Sequence, residues 1–450
     1  MAPDNSKDIE RWLKEHQITE VECLIPDITG NARGKFIPAD KFVKEESRLP
    51  EGILVQAVNG EYSDDFWDMI DSADGDMVLE PDANSIRSVP WALEPTAQII
   101  HDCYDLKGNL HPLSSRNVLK RMIDKFAALG LKPVVAPEIE FYLVEKNTNP
   151  DNELIPPVGR SGRREKARMS YSMDAIGEFE ALFEKMYEYC DDQKLDVDTL
   201  IHESGAGQME INMLHGDPLD LADQVFFFKR TLRETAHQFD VYATFMAKPM
   251  QSEPGSAMHI HQSLVDMNTG MNVFADEKGE YSELFYHYLG GLQKYMPYAL
   301  SFIAPNVNSY RRFSPEIAAP INMKWGFDNR TCGLRIPNSN PAGNRIENRF
   351  PGADANPYLA MACSLACGYL GIVEKLEPSK PFAGVAYEDE EITLARSLGE
   401  ALRLLNECEP LKELMGSKFV NAYHSVKSLE YEEFNQVISS WEREYLLLNV

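Results

Sequence analysis

Hydrophobic and polar positions alternate with two different periods between residue 130 and the end of the chain. Short apolar runs and runs with a period of two predict strands, while longer runs with apolar residues every three to four positions predict helices. The predicted strands cover residues 134–144, 241–247, 257–264, 332–337 and 345–350, and the predicted helices cover residues 174–192, 218–238, 282–297, 354–375, 393–406 and 430–446. This alternation is typical of a mixed α and β domain.

The first part of the chain has a pattern of its own. Residues 8–16 predict a helix, and VECLIPDITGNARGKFIP predicts two strands joined by a turn at Thr29 and Gly30. A Pro-Ser break and an amphipathic helix follow near residue 112. Because 450 residues are too many for one ordinary core, we expect a first domain over residues 1–111 and a second, larger domain over residues 112–450.

Polar residues interrupt the apolar strands in pairs. In PEIEFYL the pair is Glu138 and Glu140, whose side chains share one face because i and i+2 of a strand point the same way. Further pairs are His259 with His261, Glu347 with Arg349, and Glu203 with Glu210 around a glycine turn. A single pair is typical of a strand with a solvated face, which is the alternative. Four pairs predict a site for Mg²⁺ or Mn²⁺, since adjacent carboxylates repel unless a cation lies between them.

A basic cluster lies within this acidic chain. Residues 301–350 contain seven Lys and Arg against three acidic residues, although the whole chain has a formal charge of −27. The basic residues are Arg311, Arg312, Lys324, Arg330, Arg335, Arg345 and Arg349. Arginine suits phosphate and carboxylate oxygens, so arginines beside a metal site predict phosphoryl transfer, with surface ion pairs as the alternative. The sequence has no P-loop or kinase glycine-rich motif.

Charge and composition argue against several classes of protein. A charge of −27 is unsuited to nucleic acid, which needs clustered Lys and Arg. The polar start of the chain lacks the apolar core of a signal peptide, and the seven cysteines include no CxxC pair. The apolar run from Tyr358 to Val373 is short for a membrane span. We therefore expect a cytoplasmic protein in which this run is a buried helix.

Seven ordered motifs resemble the signature segments of the glutamine synthetase family, and together they extend over nearly the whole chain. They are PEIEFYL, HESGAGQME, GSAMHIHQSL, NVNSYRRF, NRTCGLRIP, NRIENRFPG and DANPYLA. The resemblance implies an α+β protein with an N-terminal β-grasp domain and a larger catalytic α/β domain. It also implies homo-oligomers, usually dodecamers of two rings, with active sites between subunits.

The resemblance also implies the residues of the site, which holds ATP, glutamate and two or three Mg²⁺ or Mn²⁺ ions. The implied sets are Glu140, Glu203 and Glu210 for one ion; Glu138, His259 and Glu347 for another; His261, Arg330 and Arg335 for ATP or the transferring phosphoryl group; and Gly255, Arg312 and Arg349 for glutamate. Arg330 and Arg349 would be catalytic.

Departures from the ammonia-using members concern the second substrate. Their flap glutamate corresponds to Ala318, and Glu316 is the candidate replacement two residues earlier. Their Asp-Gly-Ser-Ser stretch for ammonium has no counterpart in the first domain, and an Asn before Gly255 is Pro254 here. These changes predict an amine other than ammonium.

An acidic segment occupies the region where that stretch is missing. It contains ten acidic residues and no Lys or Arg between Leu49 and Ile86, interleaved with aromatic residues. Acids and aromatic rings bind an alkylammonium group by charge pairing and cation–π contact, so Glu61, Tyr62, Asp64 and Trp67 are the predicted amine site. A solvated acidic loop is the alternative.

Within the family, the combination of TGNARGKFIP, ATFMAKP, NVNSYRRF, DNRT and ADANPYLA looks most like the γ-glutamylpolyamine (γ-glutamylputrescine) synthetase branch. We therefore expect an ATP-dependent ligase that joins glutamate, through γ-glutamyl phosphate, to a polyamine such as putrescine or spermidine, as in putrescine catabolism. Glu316, Asp64 and Glu61 are candidates for deprotonating the amine. The alternatives are an ammonia-dependent glutamine synthetase, a ligase for another amine such as ethanolamine, and a non-catalytic member of the fold.

Overall fold

Two sheets are built from separate parts of the chain in the computed structural model, which describes residues 5–70, 73–166, 168–314, 319–388 and 394–450. The strands of the first sheet are β1 (Glu20–Pro26), β2 (Ala32–Pro38), β3 (Ser47–Pro50), β4 (Asp76–Pro81), β5 (Arg87–Ser88) and β6 (Thr96–Tyr104). In the described residues their order is β2-β1-β6-β4-β3, with β5 paired to β6. The helices of this part are α1 (Asn5–Glu15), α2 (Ala39–Phe42) and α3 (Phe66–Met69).

The hairpin of β1 and β2 forms as the sequence predicts. The strands pair antiparallel along their whole length. In the turn, Asp27 Oδ1 accepts hydrogen bonds from the backbone nitrogens of Thr29 and Asn31, both at 2.9 Å. Gly30 has a φ of 87°, which residues with a side chain rarely adopt. The predicted turn at Thr29 and Gly30 is confirmed.

The second sheet carries the polar pairs. Its strands are β7 (Leu131–Glu145), β8 (Val197–His202), β9 (Gln208–Met213), β10 (Val241–Thr244), β11 (Met258–Asp266), β12 (Trp325–Phe327), β13 (Leu334–Ile336) and β14 (Ile346–Asn348). Their order in the described residues is β12-β13-β14-β11-β7-β9-β8, with β10 paired to the end of β7. β7, with 15 residues, is paired on both sides, and most of its apolar residues are buried.

Helices cover the second sheet and extend beyond it. They are α4 (Ser115–Ala127), α5 (Met173–Gly177), α6 (Glu180–Gln193), α7 (Pro218–Gln238), α8 (Glu283–Ile303), α9 (Pro357–Glu374), α10 (Leu398–Glu407), α11 (Glu409–Met415), α12 (Ser417–Asn435) and α13 (Ser440–Leu446). Among the described residues only α9 is long and apolar enough to cross a membrane. Because 78% of α9 is buried inside the protein, it is a core helix, as predicted.

Some predicted elements have different boundaries. The predicted helix 218–238 matches α7. The single predicted helix 430–446 is wrong, because α12 ends at Asn435 and a capping box at Ser439 starts α13. The predicted helix 174–192 is divided into α5 and α6. The predicted helix 393–406 starts at a position outside the described residues, and α10 begins at Leu398.

One buried arginine joins the two parts of the chain. Arg116, in the first turn of α4, donates to both carboxylate oxygens of Asp223 on α7, at 3.0 and 2.7 Å. It also donates to Asp102 on β6 and to Asp82 after β4, at 2.5 and 2.6 Å. Its side chain is only 1% exposed. The first sheet is therefore held to the helices of the second part by charge-assisted hydrogen bonds.

Replacing Arg116 is expected to destabilise the protein strongly. The substitution Arg116→Met leaves three carboxylates without their shared cation, and breaking a buried pair costs about 3–5 kcal/mol. The matched control is Arg403→Met, which breaks an exposed pair with Glu407 and costs about 0–1 kcal/mol. Urea denaturation followed by tryptophan fluorescence measures both. Equal free energies of unfolding for the two variants would contradict this role of Arg116.

Candidate active site

Strand register brings the polar pairs together on the second sheet. Glu138 on β7 is opposite His259 on β11, and Glu140 is opposite Glu210 on β9. One strand further, His261 is opposite Glu347 on β14. Residues directly opposite in antiparallel strands have Cβ atoms about 5 Å apart. The pleat and the pairing therefore gather these carboxylates and imidazoles, which are distant in the sequence, on neighbouring strands.

Within the described part of the chain, two groups of possible metal ligands result. Glu138, His259 and Glu347 form one group, and Glu140, Glu210 and His259 form another, with ligand atoms within 4.8 Å of one another in each. The first group is the set predicted for the second ion. The second group shares two members with the other predicted set, which had Glu203 in place of His259. Glu203, one residue beyond β8, lines the same cavity.

A cavity of about 510 Å³ surrounds these groups. Of the predicted site residues it is lined by Glu138, Glu140, Glu203, Glu210, Gly255, His259, Arg312, Arg330, Arg335, Glu347 and Arg349. His261 lines an adjoining cavity of about 370 Å³, which shares Glu138 and Asn212 with the first. The structure thus brings the predicted metal, phosphoryl and glutamate residues to one connected space.

Burial and mutual repulsion raise the pKa values of three glutamates in this space. The pKa of Glu140 rises to about 8, through burial and the charge of Glu203. The pKa of Glu210 rises to about 10, through burial and the charges of the neighbouring glutamates, Glu138 first. Burial also raises the pKa of Glu203. Such values indicate carboxylates that lack a compensating positive charge.

The other two glutamates are stabilised as anions. Burial alone would raise the pKa of Glu138, but hydrogen bonds with His259 and His261 lower it below its ordinary value. Burial would likewise raise the pKa of Glu347, but the charges of Arg349, His261 and His259 together lower it to about 2. Burial, followed by Arg349, lowers the pKa of His259, which favours the neutral imidazole that binds metals.

This donor set fits two hard divalent cations. Carboxylate oxygens with one neutral imidazole suit Mg²⁺ and Mn²⁺. The ions would supply the positive charge that Glu140 and Glu210 lack. His261 belongs to neither group of ligands, but it orients one of them, Glu138. Arg345 Nε donates to its Nδ1 at 3.2 Å, so its Nε2 carries the proton and donates to Glu138 Oε1 at 2.9 Å.

Arginines line the rest of the cavity. Arg335 and Arg349 donate to the two oxygens of Glu347, at 2.6 and 2.5 Å. Among the described residues, the buried Nε atoms of Arg312, Arg335 and Arg349 have no hydrogen-bond partner. Unsatisfied guanidinium donors beside a metal site are suited to anionic substrates, both phosphate and carboxylate.

Gly255 permits close packing beside Arg312. A Cβ atom at position 255 would lie 2.4 Å from Arg312 Cγ and 2.8 Å from the carbonyl oxygen of Ala247. Arg312 itself is buried and donates to the carbonyl oxygens of Arg349 and Phe350. Any side chain at position 255 would displace this guanidinium.

The predicted amine residues are not brought to this cavity. Glu61, Tyr62, Asp64 and Trp67 lie between β3 and β4 in the first part, and none lines the cavity in the described chain. This segment packs on α12, where Ser425 Oγ donates to Asp65 at 3.1 Å. Glu316 and Ala318 lie outside the described residues.

The structure adds residues that the sequence analysis did not single out. Gln208 is buried and donates through Nε2 to Glu140 Oε2 at 3.1 Å, which orients that carboxylate. Tyr171 and Tyr387 also line the cavity. Gln208 lies inside the motif HESGAGQME, two residues before Glu210, and this alternation was the available signal. No comparable pattern marks the two tyrosines.

The part of the chain that carries this cavity matches a known protein family. The family model described as glutamine synthetase, catalytic domain, matches residues 112–446. The chain belongs to the glutamine synthetase family. The predicted enzyme class, a glutamate–amine ligase, is confirmed with it.

This glutamine synthetase family member resembles several enzymes along nearly its whole length, and their names indicate different activities. It is 33% identical to γ-glutamylputrescine synthetase PuuA of Escherichia coli strain K12, over 99% of this chain and 95% of PuuA. It is 35% identical to a glutamate–isopropylamine ligase of a Pseudomonas species, over 98% of each chain. A glutamine synthetase of Pyrococcus abyssi is 32% identical, over 93% of this chain and 92% of its own.

Solved structures share the fold of this family member. A ligand-free structure of GmaS aligns with a TM-score of 0.85 and 27% identity, over 98% of this chain and 99% of GmaS. A complex of GmaS with ADP aligns with a TM-score of 0.84 and 26% identity. The predicted mixed α and β catalytic domain is therefore confirmed.

Metal binding by this glutamine synthetase family member is expected to strengthen as the pH rises. With pKa values of about 8 and about 10, Glu140 and Glu210 hold protons near neutral pH that an ion must displace. Each proton released makes the affinity rise about tenfold per pH unit below the pKa. Calorimetric titration of Mn²⁺ at several pH values, in buffers with different ionisation enthalpies, measures both affinity and proton release.

The substitution Glu210→Gln separates this effect from general loss of structure. Because the folded-state pKa of Glu210 is raised from 4.5 to about 10, its ionisation destabilises the metal-free fold increasingly as the pH rises between these values. The variant should therefore be more stable without metal at alkaline pH, yet bind Mn²⁺ more weakly. The exposed Glu188→Gln is the control and should change neither property. Wild-type Mn²⁺ affinity in Glu210→Gln would contradict a ligand role.

Proposed function

We propose that the enzyme joins the γ-carboxyl group of glutamate to one amino group of a polyamine such as putrescine or spermidine. The observation that carries this proposal is the acidic segment, in which Tyr62 and Trp67 are 43% and 60% exposed beside Glu61 and Asp64. Exposed rings among carboxylates suit an alkylammonium ion. The similarity to γ-glutamylputrescine synthetase PuuA over 99% of the chain supports the same substrate class.

The proposed reaction has two steps. An oxygen of the glutamate γ-carboxylate attacks the γ-phosphorus of ATP, which gives γ-glutamyl phosphate and ADP. The neutral amine nitrogen then attacks the acyl carbon, phosphate leaves, and the nitrogen loses a proton. Bound Mg²⁺ or Mn²⁺ ions would neutralise charge on the phosphate oxygens. Arg330, Arg335 and His261 are assigned to ATP and the phosphoryl group, and Arg330 would stabilise the charge in transfer.

Glutamate is assigned to the part of the cavity that Arg312 and Arg349 line. Arg312 and Arg349 would pair with its carboxylate groups, and Gly255 leaves room beside Arg312. Arg349 would be catalytic through its contact with glutamate. It also donates a hydrogen bond to Glu347, which is assigned to an ion with Glu138 and His259. The remaining ion is assigned to Glu140, Glu203 and Glu210, all of which line the cavity.

The amine site is proposed to lie between subunits. Glu61, Tyr62, Asp64 and Trp67 do not line the cavity of their own chain, so the acidic segment would serve a neighbouring subunit in a homo-oligomer, as in the dodecamers that the family implies. Exposed apolar residues on and after α13, among them Trp441, Tyr445 and Leu448, favour self-association. Asp64, Glu61 and Glu316 are the candidates for taking the proton from the amine.

The remaining assignments follow from the same family. We propose a β-grasp domain over residues 1–111 and a catalytic domain over residues 112–450. The six-stranded sheet falls in the first range and the eight-stranded sheet in the second. We also propose a cytoplasmic enzyme, since all seven cysteines are unpaired thiols.

An ammonia-dependent glutamine synthetase is the second candidate function, with ethanolamine or another small monoamine as a further alternative. The 32% identity to the glutamine synthetase of Pyrococcus abyssi favours ammonia. The absence of an Asp-Gly-Ser-Ser stretch from the sequence of the first domain weighs against it.

Phosphate release with glutamate, ATP and Mg²⁺ decides among these amines. We expect putrescine or spermidine to give a kcat/KM at least about tenfold above ammonium or ethanolamine, because the acidic segment would bind the distal ammonium group. A reaction without amine measures uncoupled hydrolysis of ATP. Ammonium as the best substrate would contradict the polyamine proposal and leave the ligase class intact.

A charge-removing substitution tests the acidic segment itself. Asp64→Asn should raise the KM for the amine about tenfold, since a hydrogen bond to a charged group contributes about 1.5–3 kcal/mol. The KM for glutamate should change little. The control is Asp76→Asn, an exposed acid on β4 in the same segment. Equal changes in the KM for the amine and the KM for glutamate would contradict the assignment of Asp64 to the amine site.

A further inference from the structure

A second cavity lies where the first part of the chain meets the catalytic part. It has a volume of about 340 Å³ and is lined by the β1–β2 turn on one side and by α7 and β10 on the other. It shares no lining residue with the candidate active site. Lys229, Arg230 and Arg233 line it, and Asp354 is the acidic residue among the lining residues. A net positive cavity is unusual in a chain with a formal charge of −27.

Lys229 and Arg233 are like charges placed one turn apart on α7. Residues at i and i+4 are neighbours on a helix surface, so two cations there repel. Both also lie over the ring of Phe245, with Lys229 Nζ 5.4 Å and Arg233 Cζ 5.2 Å from its centroid. The ring offsets part of the repulsion but carries no net charge.

Neither cation has a carboxylate partner among the described residues. Lys229 Nζ donates to the carbonyl oxygens of Ala353 and Ala355, at 2.6 and 3.0 Å, which uses two of its three protons. Burial, with the charge of Arg233 next, lowers the pKa of Lys229 to about 7. Arg230 differs, because it donates to Glu22 Oε2 at 2.8 Å.

Asp354 does not neutralise this pair. Its Oδ2 accepts hydrogen bonds from Asn306 Nδ2 at 2.8 Å and from Ser309 Oγ at 2.6 Å. It makes no ion pair with Lys229 or Arg233 within the described part of the chain. The carboxylate therefore fixes the loop before Arg312, and its charge offsets only part of the effect of Arg233 on Lys229.

We propose that this cavity binds a small oxyanion, a carboxylate or a phosphate, between Lys229 and Arg233. A carboxylate is planar and a phosphate is tetrahedral, and each has oxygens that an ammonium group and a guanidinium group can bind at the same time. The volume is within the range of sites for small metabolites. Phe226, Phe245 and Pro357 provide an apolar wall for a short carbon chain.

Calorimetric titration of the full-length protein with inorganic phosphate and, separately, with succinate tests the proposal. We expect one of the two anions to bind to the wild type and to bind at least tenfold more weakly to Arg233→Met. Arg233 is exposed at its cavity, so this variant should fold. Lys229→Met is the second variant and should abolish binding. The anion that binds more tightly identifies the ligand as a phosphate or a carboxylate.

Two further variants locate the binding. Arg163→Met removes an exposed arginine that does not line the cavity and should bind the anion as the wild type does. Arg335→Met alters the candidate active site and should also retain binding. Failure of both anions to bind the wild type would overturn the proposal. So would equal binding by wild type and Arg233→Met, or a loss confined to Arg335→Met.

Discussion

Repulsion among five glutamates is the constraint on which the candidate site depends. Glu138, Glu140, Glu203, Glu210 and Glu347 line one cavity, where burial removes most of the water that would screen them. Two of them are held as anions by imidazole and guanidinium groups, and three have raised pKa values. Carboxylates with raised pKa values are costly to ionise without a cation. The arrangement therefore makes sense as a receptor for divalent ions.

The sheet holds the carboxylates in place against this repulsion. β7 is hydrogen-bonded to β9 on one side and β11 on the other, and its register sets Glu138 opposite His259 and Glu140 opposite Glu210. The apolar residues that alternate with them, Ile139 and Phe141, are fully buried on the other face. Packing of the core thus supplies the free energy that keeps like charges close, and the arginines that line the same cavity are suited to anionic substrates.

The sequence predicted the components of the site better than their arrangement. The i, i+2 spacing of Glu138 and Glu140 identified a shared strand face, because that follows from the pleat alone. The pairing of β7 with β9 and β11 depends on tertiary contacts, so the grouping of His259 with Glu140 and Glu210 could not be foreseen. Gln208, which orients Glu140, carries no charge, so only its position two residues before Glu210 could have indicated it.

The first part of the chain shows the limit of composition. Acids and aromatics marked residues 61–67 as a binding segment, but composition contains no information on which cavity a segment faces. The structure packs this segment on α12 of the same chain, through contacts such as the hydrogen bond from Ser425 to Asp65. The helix predicted over residues 430–446 also failed, because a local capping box at Ser439 restarts the helix against the longer apolar pattern.

The number of Mn²⁺ ions that each chain binds shows whether the cavity is a site for two divalent ions. Equilibrium dialysis of Mn²⁺, read by electron paramagnetic resonance, gives the number of ions per chain. If Glu138, His259 and Glu347 hold one ion and Glu140, Glu203 and Glu210 hold another, the wild type binds at least two Mn²⁺ ions. The Glu347→Gln variant then binds one fewer, since Glu347 belongs to the first set alone. A wild type that binds one ion or none, or a Glu347→Gln variant with the full number, would contradict the account of the cavity as a dinuclear metal site.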